Sequence, residues 1–133
     1  MSLAAALKSV EAVNRRDVDA FVECLHPDVE WEENGDVPGA RVIYRGREEV
    51  RAWFEEVLKE PWERFEIVIE EIEEPRAGAV FSGQRITATG RGSGVEIDLQ
   101  FWTASWFADG MVTRRKVFWT REEAVEAIRG QTP

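Results

Sequence analysis

Two charged side chains stand where strand alternation could turn them toward an apolar interior. Glu33 closes the stretch Val29-Glu30-Trp31-Glu32-Glu33 and shares a strand face with Val29 and Trp31, because successive side chains point to opposite faces. Arg85 stands mid-strand between apolar neighbours, on one face with Phe81, Gly83 and Thr87. A carboxylate in apolar surroundings holds its proton more tightly, so it can act as a general base near neutral pH. A nearby guanidinium could hold that carboxylate, or an anionic group of a substrate, in a bidentate contact. Plainer readings compete. Glu33 follows Glu30 and Glu32 and could be a solvated strand end, and Arg85 could face outward and pair with a strand glutamate.

Other chemistry has less to build on. One histidine and one cysteine are too few for a thiolate or imidazole metal cage. Residues 55–74 hold nine acidic and two basic side chains. Glu70, Glu71, Glu73 and Glu74 resemble a carboxylate cluster, but a strand divides them between two faces, so a solvated acidic surface is expected and not a metal site. Gly90-Arg91-Gly92-Ser93-Gly94 joins two strands and lacks the following helix N-terminus that binds phosphate. No dinucleotide fingerprint is present either, so neither a metal nor an organic cofactor is expected. Cys24, on an amphipathic helix, reads as a small core hydrophobe.

The elements that must position these side chains follow from periodicity. Leu3, Leu7 and Val10 recur at helical spacing, which predicts a helix from Ser2 to Arg16. Asp17 should cap a short second helix carrying Val18, Phe21, Val22 and Leu25. His26-Pro27-Asp28 ends it, and a short strand over Val29–Glu33 precedes a loop from Asn34 to Gly39. A third helix opens after Tyr44-Arg45-Gly46, with Val50, Trp53, Phe54, Val57 and Leu58 as its apolar face, and Pro61 stops it. Strands follow: Phe65–Glu73, Ala79–Thr89, Glu96–Phe107 and Met111–Trp119, with Asp109-Gly110 as a hairpin turn. Arg121–Arg129 reads as a closing helix. In Glu96–Phe101 the odd residues are apolar, so Ile97, Leu99 and Phe101 point inward; the same period carries Thr103 and Ser105 inward, and a bulge between the two stretches would reverse that. Trp102, Ala104 and Trp106 then face outward as an apolar patch, which predicts a homodimer through the outer sheet face.

Helices followed by a run of strands indicate an α+β fold, with helices packed on the concave face of a curved antiparallel sheet that encloses a conical cavity. The 133 residues fit one domain spanning 1–133. A composition of 44% hydrophobic and 32% charged residues suits a globular chain. The net charge of −9 argues against nucleic acid and anionic membrane surfaces as partners. Without a membrane-spanning run or a charged leader before the first apolar stretch, a cytoplasmic location is expected.

The order of several short motifs resembles the SnoaL-like proteins of the nuclear-transport-factor-two-like superfamily, over nearly the whole chain. They are Asn14-Arg15-Arg16-Asp17-Val18-Asp19-Ala20-Phe21, His26-Pro27-Asp28-Val29-Glu30-Trp31, Tyr44-Arg45-Gly46 leading to Trp53-Phe54, Gly90 to Gly94, Phe107 to Val112, and Arg121-Glu122-Glu123-Ala124. The resemblance implies a cystatin-like cone and a pocket for a small hydrophobic or polyketide-like molecule. It includes cofactor-free isomerases, cyclases and hydrolases as well as binding or dimerising modules that catalyse nothing. It sets Glu33 where the ketosteroid isomerases of the superfamily carry their aspartate base. Arg85 falls at the active-site arginine of limonene epoxide hydrolase, and Trp31 at its tyrosine. It also implies that Arg115, Val117 and Trp119 face the cavity. Trp31, Trp53, Phe101, Thr103, Arg115 and Trp119 are thus the expected ligand-contacting residues, with Glu33 and Arg85 the expected catalytic pair. The departures are specific: the hydrolase's two catalytic aspartates fall at Thr87 and Val117, and the isomerase's two oxyanion donors fall near Ser9 and Thr103.

Overall fold

The structure, a computed structural model, describes residues 2–35, 39–59 and 61–130. Helices α1 (Ser2–Asn14) and α2 (Val18–Glu23) lead into strands β1 (Leu25–Asn34) and β2 (Arg41–Arg45). Helix α3 (Gly46–Leu58) is followed by β3 (Trp62–Arg76), β4 (Ala79–Gly90), β5 (Glu96–Ala108) and β6 (Met111–Phe118), and α4 (Arg121–Gly130) closes the chain. The strands form one open, curved six-stranded sheet in the order β2-β1-β6-β5-β4-β3. All neighbouring strands are antiparallel except β1 and β6, which run parallel. The α+β cone expected from the element order is therefore present.

Local chemistry sets the element ends. Asp17 caps α2 by accepting the Ala20 N–H at 3.0 Å. Asp109 and Gly110 take φ values of 56° and 75° in the β5–β6 turn, the left-handed pair that a two-residue hairpin demands. Asn14 fastens the end of α1 to the free edge of β3: its amide donates to the Ile67 carbonyl at 2.9 Å and accepts the Ile67 N–H at 2.7 Å. An unpaired strand edge is thereby closed by a helix.

Several elements differ from expectation: β3 runs over Trp62–Arg76, six residues longer than the expected Phe65–Glu73. β1 begins at Leu25, four residues before the expected start, and absorbs Pro27 through an irregularity in its register with β6 between Leu25 and Glu30. β2 carries no apolar alternation because most of its residues are exposed, so periodicity does not reveal it. The expected 34–39 loop is described only in part, since residues 36–38 lie outside the described set.

Helices α1, α2 and α3 cover the concave side, where Phe21, Val29, Val50 and Phe54 form the centre of one core cluster. Helix α4 lies on the opposite face. Its Ala124 and Ile128 pack on Phe81 and Ala104, with Trp102, Trp106 and Phe118 around them. The alternation of β5 is as expected, yet Trp102 and Trp106 are half-buried beneath a helix of the same chain and do not form an exposed patch. The apolar patch from which a dimer is expected is thus partly covered within one chain. The indole of Trp102 also explains Gly83: a Cβ there would meet Trp102 Cη2 at 2.7 Å. We expect Trp102→Glu combined with Trp106→Glu to lower stability by about 3 kcal/mol or more, by setting carboxylates under α4. Urea unfolding measures this, and unchanged stability would show that α4 does not depend on these rings.

Candidate functional site

The concave face and the helices over it enclose a cavity of about 380 Å³. Val80, Ser82, Gln84 and Ile86 of β4 and Ile97, Leu99, Phe101, Thr103 and Ser105 of β5 form its floor. Val10 and Val13 of α1 and Trp53, Phe54 and Val57 of α3 form its roof. A bulge in the β3–β4 register between Ile69 and Glu71 lets both Ile69 and Ile72 reach the lining. Trp119, 55% exposed, also borders the cavity, just beyond the end of β6.

Glu33 and Arg115 are the only charged residues of this lining among the described residues, and they form an ion pair through Arg115 Nη1 and Glu33 Oε2. Their side chains are 20% and 12% exposed, respectively. Trp31 braces both: its indole N–H donates to Glu33 Oε2 at 2.8 Å, and the Arg115 guanidinium stacks 4.3 Å from its ring. Strand register explains the meeting, since Trp31 and Arg115 are direct partners in the parallel β1–β6 pair and Glu33 is two residues along the same face. Both donors converge on Oε2, and Oε1 has no hydrogen-bond partner among the described residues.

Seven of the eight expected site residues line the cavity: Glu33, Trp31, Trp53, Phe101, Thr103, Arg115 and Trp119. Arg85 does not. It lies on the outer face, where Nε and Nη2 donate to the two carboxylate oxygens of Asp98 at 2.7 and 2.8 Å. The hydrogen bonds from Arg85 hold the Asp98 carboxyl below its ordinary range. The error lies in the facing of β4. Its even residues point inward although two of them, Ser82 and Gln84, are polar, and its odd Phe81 points outward because α4 covers it. The usual rule of apolar-in, polar-out inverts when both faces are covered. Arg115 thus occupies the place beside Glu33 that was expected of Arg85.

Sequence reasoning missed Ser82 and Gln84, which are 3% and 8% exposed. Gln84 Nε2 donates to Ser82 Oγ at 2.8 Å, and Ser82 Oγ lies 2.7 Å from Thr103 Oγ1. The available signal was the β4–β5 register, which follows from the hairpin and pairs Ser82 with the inward Thr103. His26 lies outside the lining and accepts the Asp28 N–H through Nδ1 at 3.0 Å. The buried Cys24 thiol is pushed up by desolvation. Among the described residues no group of three or more His, Cys, Asp or Glu could hold a metal ion, and no helix is long and apolar enough to cross a membrane.

Solved structures share this architecture. TerC, co-crystallised with polyporic acid, is 20% identical, with 97% of this chain and 98% of that chain covered and a TM-score of 0.73. RV0760c from Mycobacterium tuberculosis, in complex with estradiol-17β-hemisuccinate, is 18% identical, with 91% and 95% covered and a TM-score of 0.76. An LEH-like epoxide hydrolase of M. tuberculosis is 18% identical, with 97% and 90% covered and a TM-score of 0.71. At such identities the likeness is one of fold. By sequence, no curated protein matches the chain. Residues 6–115 match the SnoaL-like domain, and the chain, with its nuclear-transport-factor-two-like cone, belongs to that family.

Proposed function

We propose that residues 1–133 act as one SnoaL-like domain that binds a small, largely apolar organic molecule in the conical cavity, and that Glu33 accepts a hydrogen bond or a proton from it without a cofactor. One observation carries this reading: a single ion pair, Glu33–Arg115, faces an otherwise mostly apolar cavity of about 380 Å³, with Glu33 Oε1 left for a ligand. Arg115 and Trp31 fix the carboxylate by its other oxygen, so its position does not depend on the ligand. The ligands named for TerC and RV0760c support a pocket for small molecules in this fold.

The test uses 2-naphthol and 2-methoxynaphthalene, which differ in whether they can donate to Oε1. Quenching of the cavity tryptophans reports binding. A hydrogen bond to a charged acceptor contributes about 1.5–3 kcal/mol, so the wild type should prefer 2-naphthol by roughly 10- to 150-fold. Glu33→Gln should reduce that preference to a few-fold, and Arg85→Ala, on the outer face, should leave it intact. Equal binding of both compounds by the wild type would remove Glu33 from the site.

A non-catalytic binder is the second reading, favoured by the two donors already directed at Glu33 Oε2 and by Thr87 and Val117 at the positions of the hydrolase's aspartates. Exchange of solvent deuterium into 2-tetralone separates the two. An acid/base catalyst should lose about 10²–10⁴-fold in exchange rate on Glu33→Gln. Absence of wild-type exchange above the buffer rate would favour the binder.

A further inference from the structure

We infer that helix α1 is a lid coupled to the cavity: it is hinged at its C-terminal end, and its residues 2–11 open and close over the cavity until an occupant holds them shut. The inference rests on the reading that the cavity takes a small molecule, and it gives α1 the task of closing over that molecule.

The two ends of α1 are held differently. At the C-terminal end Arg16 takes a φ of 56°. Its N–H donates to the Val13 carbonyl at 2.9 Å, and the Asp17 N–H donates to the Ala12 carbonyl at 3.0 Å. This is the paired closure of a Schellman motif. Ala12 is the one fully buried residue of the helix, and Val13 packs against the same core cluster. Asn14 clasps the β3 backbone at Ile67 in both directions. The last turn therefore belongs to the core. Residues 2–11 do not, since among the described residues none of them is part of either core cluster. The first turn carries no acidic side chain of its own to meet the helix dipole. Glu74 of β3 bonds to Ser2 and Leu3 there, but it also accepts the Gly78 N–H at 2.9 Å and is shared with the β3–β4 turn.

What residues 2–11 rest on is the cavity. Ala6, Ser9 and Val10 lie on one helix face and border it, while Ala4, Leu7, Lys8 and Glu11 are exposed on the other side. A side chain beside a void lacks the attractive contacts that partner atoms would supply. A helix of 13 residues is marginal in water, and most of its stability comes from packing of its apolar face. Beyond the hinge, α1 gains little packing from the protein itself. An occupant supplies the missing contacts, and only the closed helix can make them, so binding shifts the lid toward closure. The Ser9 hydroxyl donates to the Ala6 carbonyl at 2.7 Å and is satisfied within the helix. The lid thus presents an apolar surface, which suits the hydrocarbon face of a ligand.

The test is amide hydrogen exchange of the full chain, residue by residue, with 2-methoxynaphthalene as the occupant. The reference is residues 102–105 of β5, which pair with strands on both sides. In the free protein residues 6–11 should exchange at least about tenfold faster than the reference. Low urea should speed the reference and leave residues 6–11 nearly unchanged, because a local opening exposes little surface. With ligand at about 100 times its Kd, both sets should slow by up to about 100-fold. The reference slows because the ligand binds only the folded protein, and residues 6–11 slow because it binds only beneath the closed lid. Val10→Ala should weaken binding by about threefold or more through lost apolar contact, and Leu7→Ala, on the outer side of the same helix, should not. Equal rates and equal urea dependence of the two sets in the free protein would overturn the lid. Ligand-induced slowing of the reference without slowing of residues 6–11 would also overturn it and leave the pocket standing. Slowing of neither set would overturn the lid and the pocket together.

Discussion

Arg115→Met should cost the protein about 2–4 kcal/mol of stability, and adding Glu33→Gln should recover most of it. Removing one partner of a buried ion pair costs about 3–5 kcal/mol, because the charge left behind is uncompensated. The side chains of Arg115 and Glu33 retain 12% and 20% exposure, which sets the expected figure somewhat lower. Stacking of the guanidinium on Trp31, at 4.3 Å, is lost as well. Methionine fills the space of the arginine stem, so packing changes little and the electrostatic part dominates. In the single variant Glu33 is a carboxylate in an apolar cavity with one donor, the Trp31 indole. The double variant has no charge to strand. Urea unfolding of the four proteins at neutral pH tests this. Additive effects, with the double variant no more stable than Arg115→Met, would mean that the pair contributes nothing.

Much of the site was legible in the sequence because β5 is patterned without error. Ile97, Leu99 and Phe101 set a face, and that face carried Thr103 and Ser105 into the cavity lining. Glu33 was found by its place after Val29 and Trp31 together with the family resemblance. Its partner was misassigned, and the reason is physical. Facing was read from polarity, and polarity is informative only when one side of a strand meets water. β4 is covered by the cavity and its helices on one side and by α4 on the other, so Phe81 points out and Gln84 points in. The outward Asp98 held the correction. Its facing follows from the clean alternation of β5, and it sits diagonally across from Arg85 in the β4–β5 register.

The outer tryptophans teach the same lesson. Trp102 and Trp106 were placed on the correct face, but the conclusion drawn from them assumed that nothing else covers that face. Arg121–Arg129 reads from the sequence as a helix without a docking site, although its apolar residues Ala124 and Ile128 require one. Matching an unassigned apolar helix face to an unassigned apolar sheet face would have joined them. β2 was beyond reach by periodicity, since an exposed edge strand has no buried side to pattern.

Phe21→Ala should be the most damaging single truncation near the site, lowering stability by about 3–5 kcal/mol. Phe21 is 1% exposed on the short helix α2, which spans six residues and cannot persist without tertiary packing. Its ring meets Trp31 edge-on, with centroids 5.3 Å apart and planes at 88°, and Phe54 at 4.8 Å. The truncation therefore removes the contact that holds α2 and one side of the indole at once. Trp53, 5.6 Å from Trp31, and the Arg115 guanidinium remain on the ring, but its edge is no longer confined. The indole N–H that points at Glu33 Oε2 then samples more orientations. The functional consequence is specific: the preference for 2-naphthol over its methyl ether should shrink while the methyl ether still binds. Phe21→Leu keeps most of the volume and should cost less than half as much, with the preference largely preserved. Urea unfolding and the two ligand titrations measure these effects together. A stability loss below about 1 kcal/mol for the alanine variant would show that the aromatic cluster closes over the gap. An unchanged naphthol preference beside a full stability loss would show that Trp31 is held in place by Trp53 and Arg115 alone.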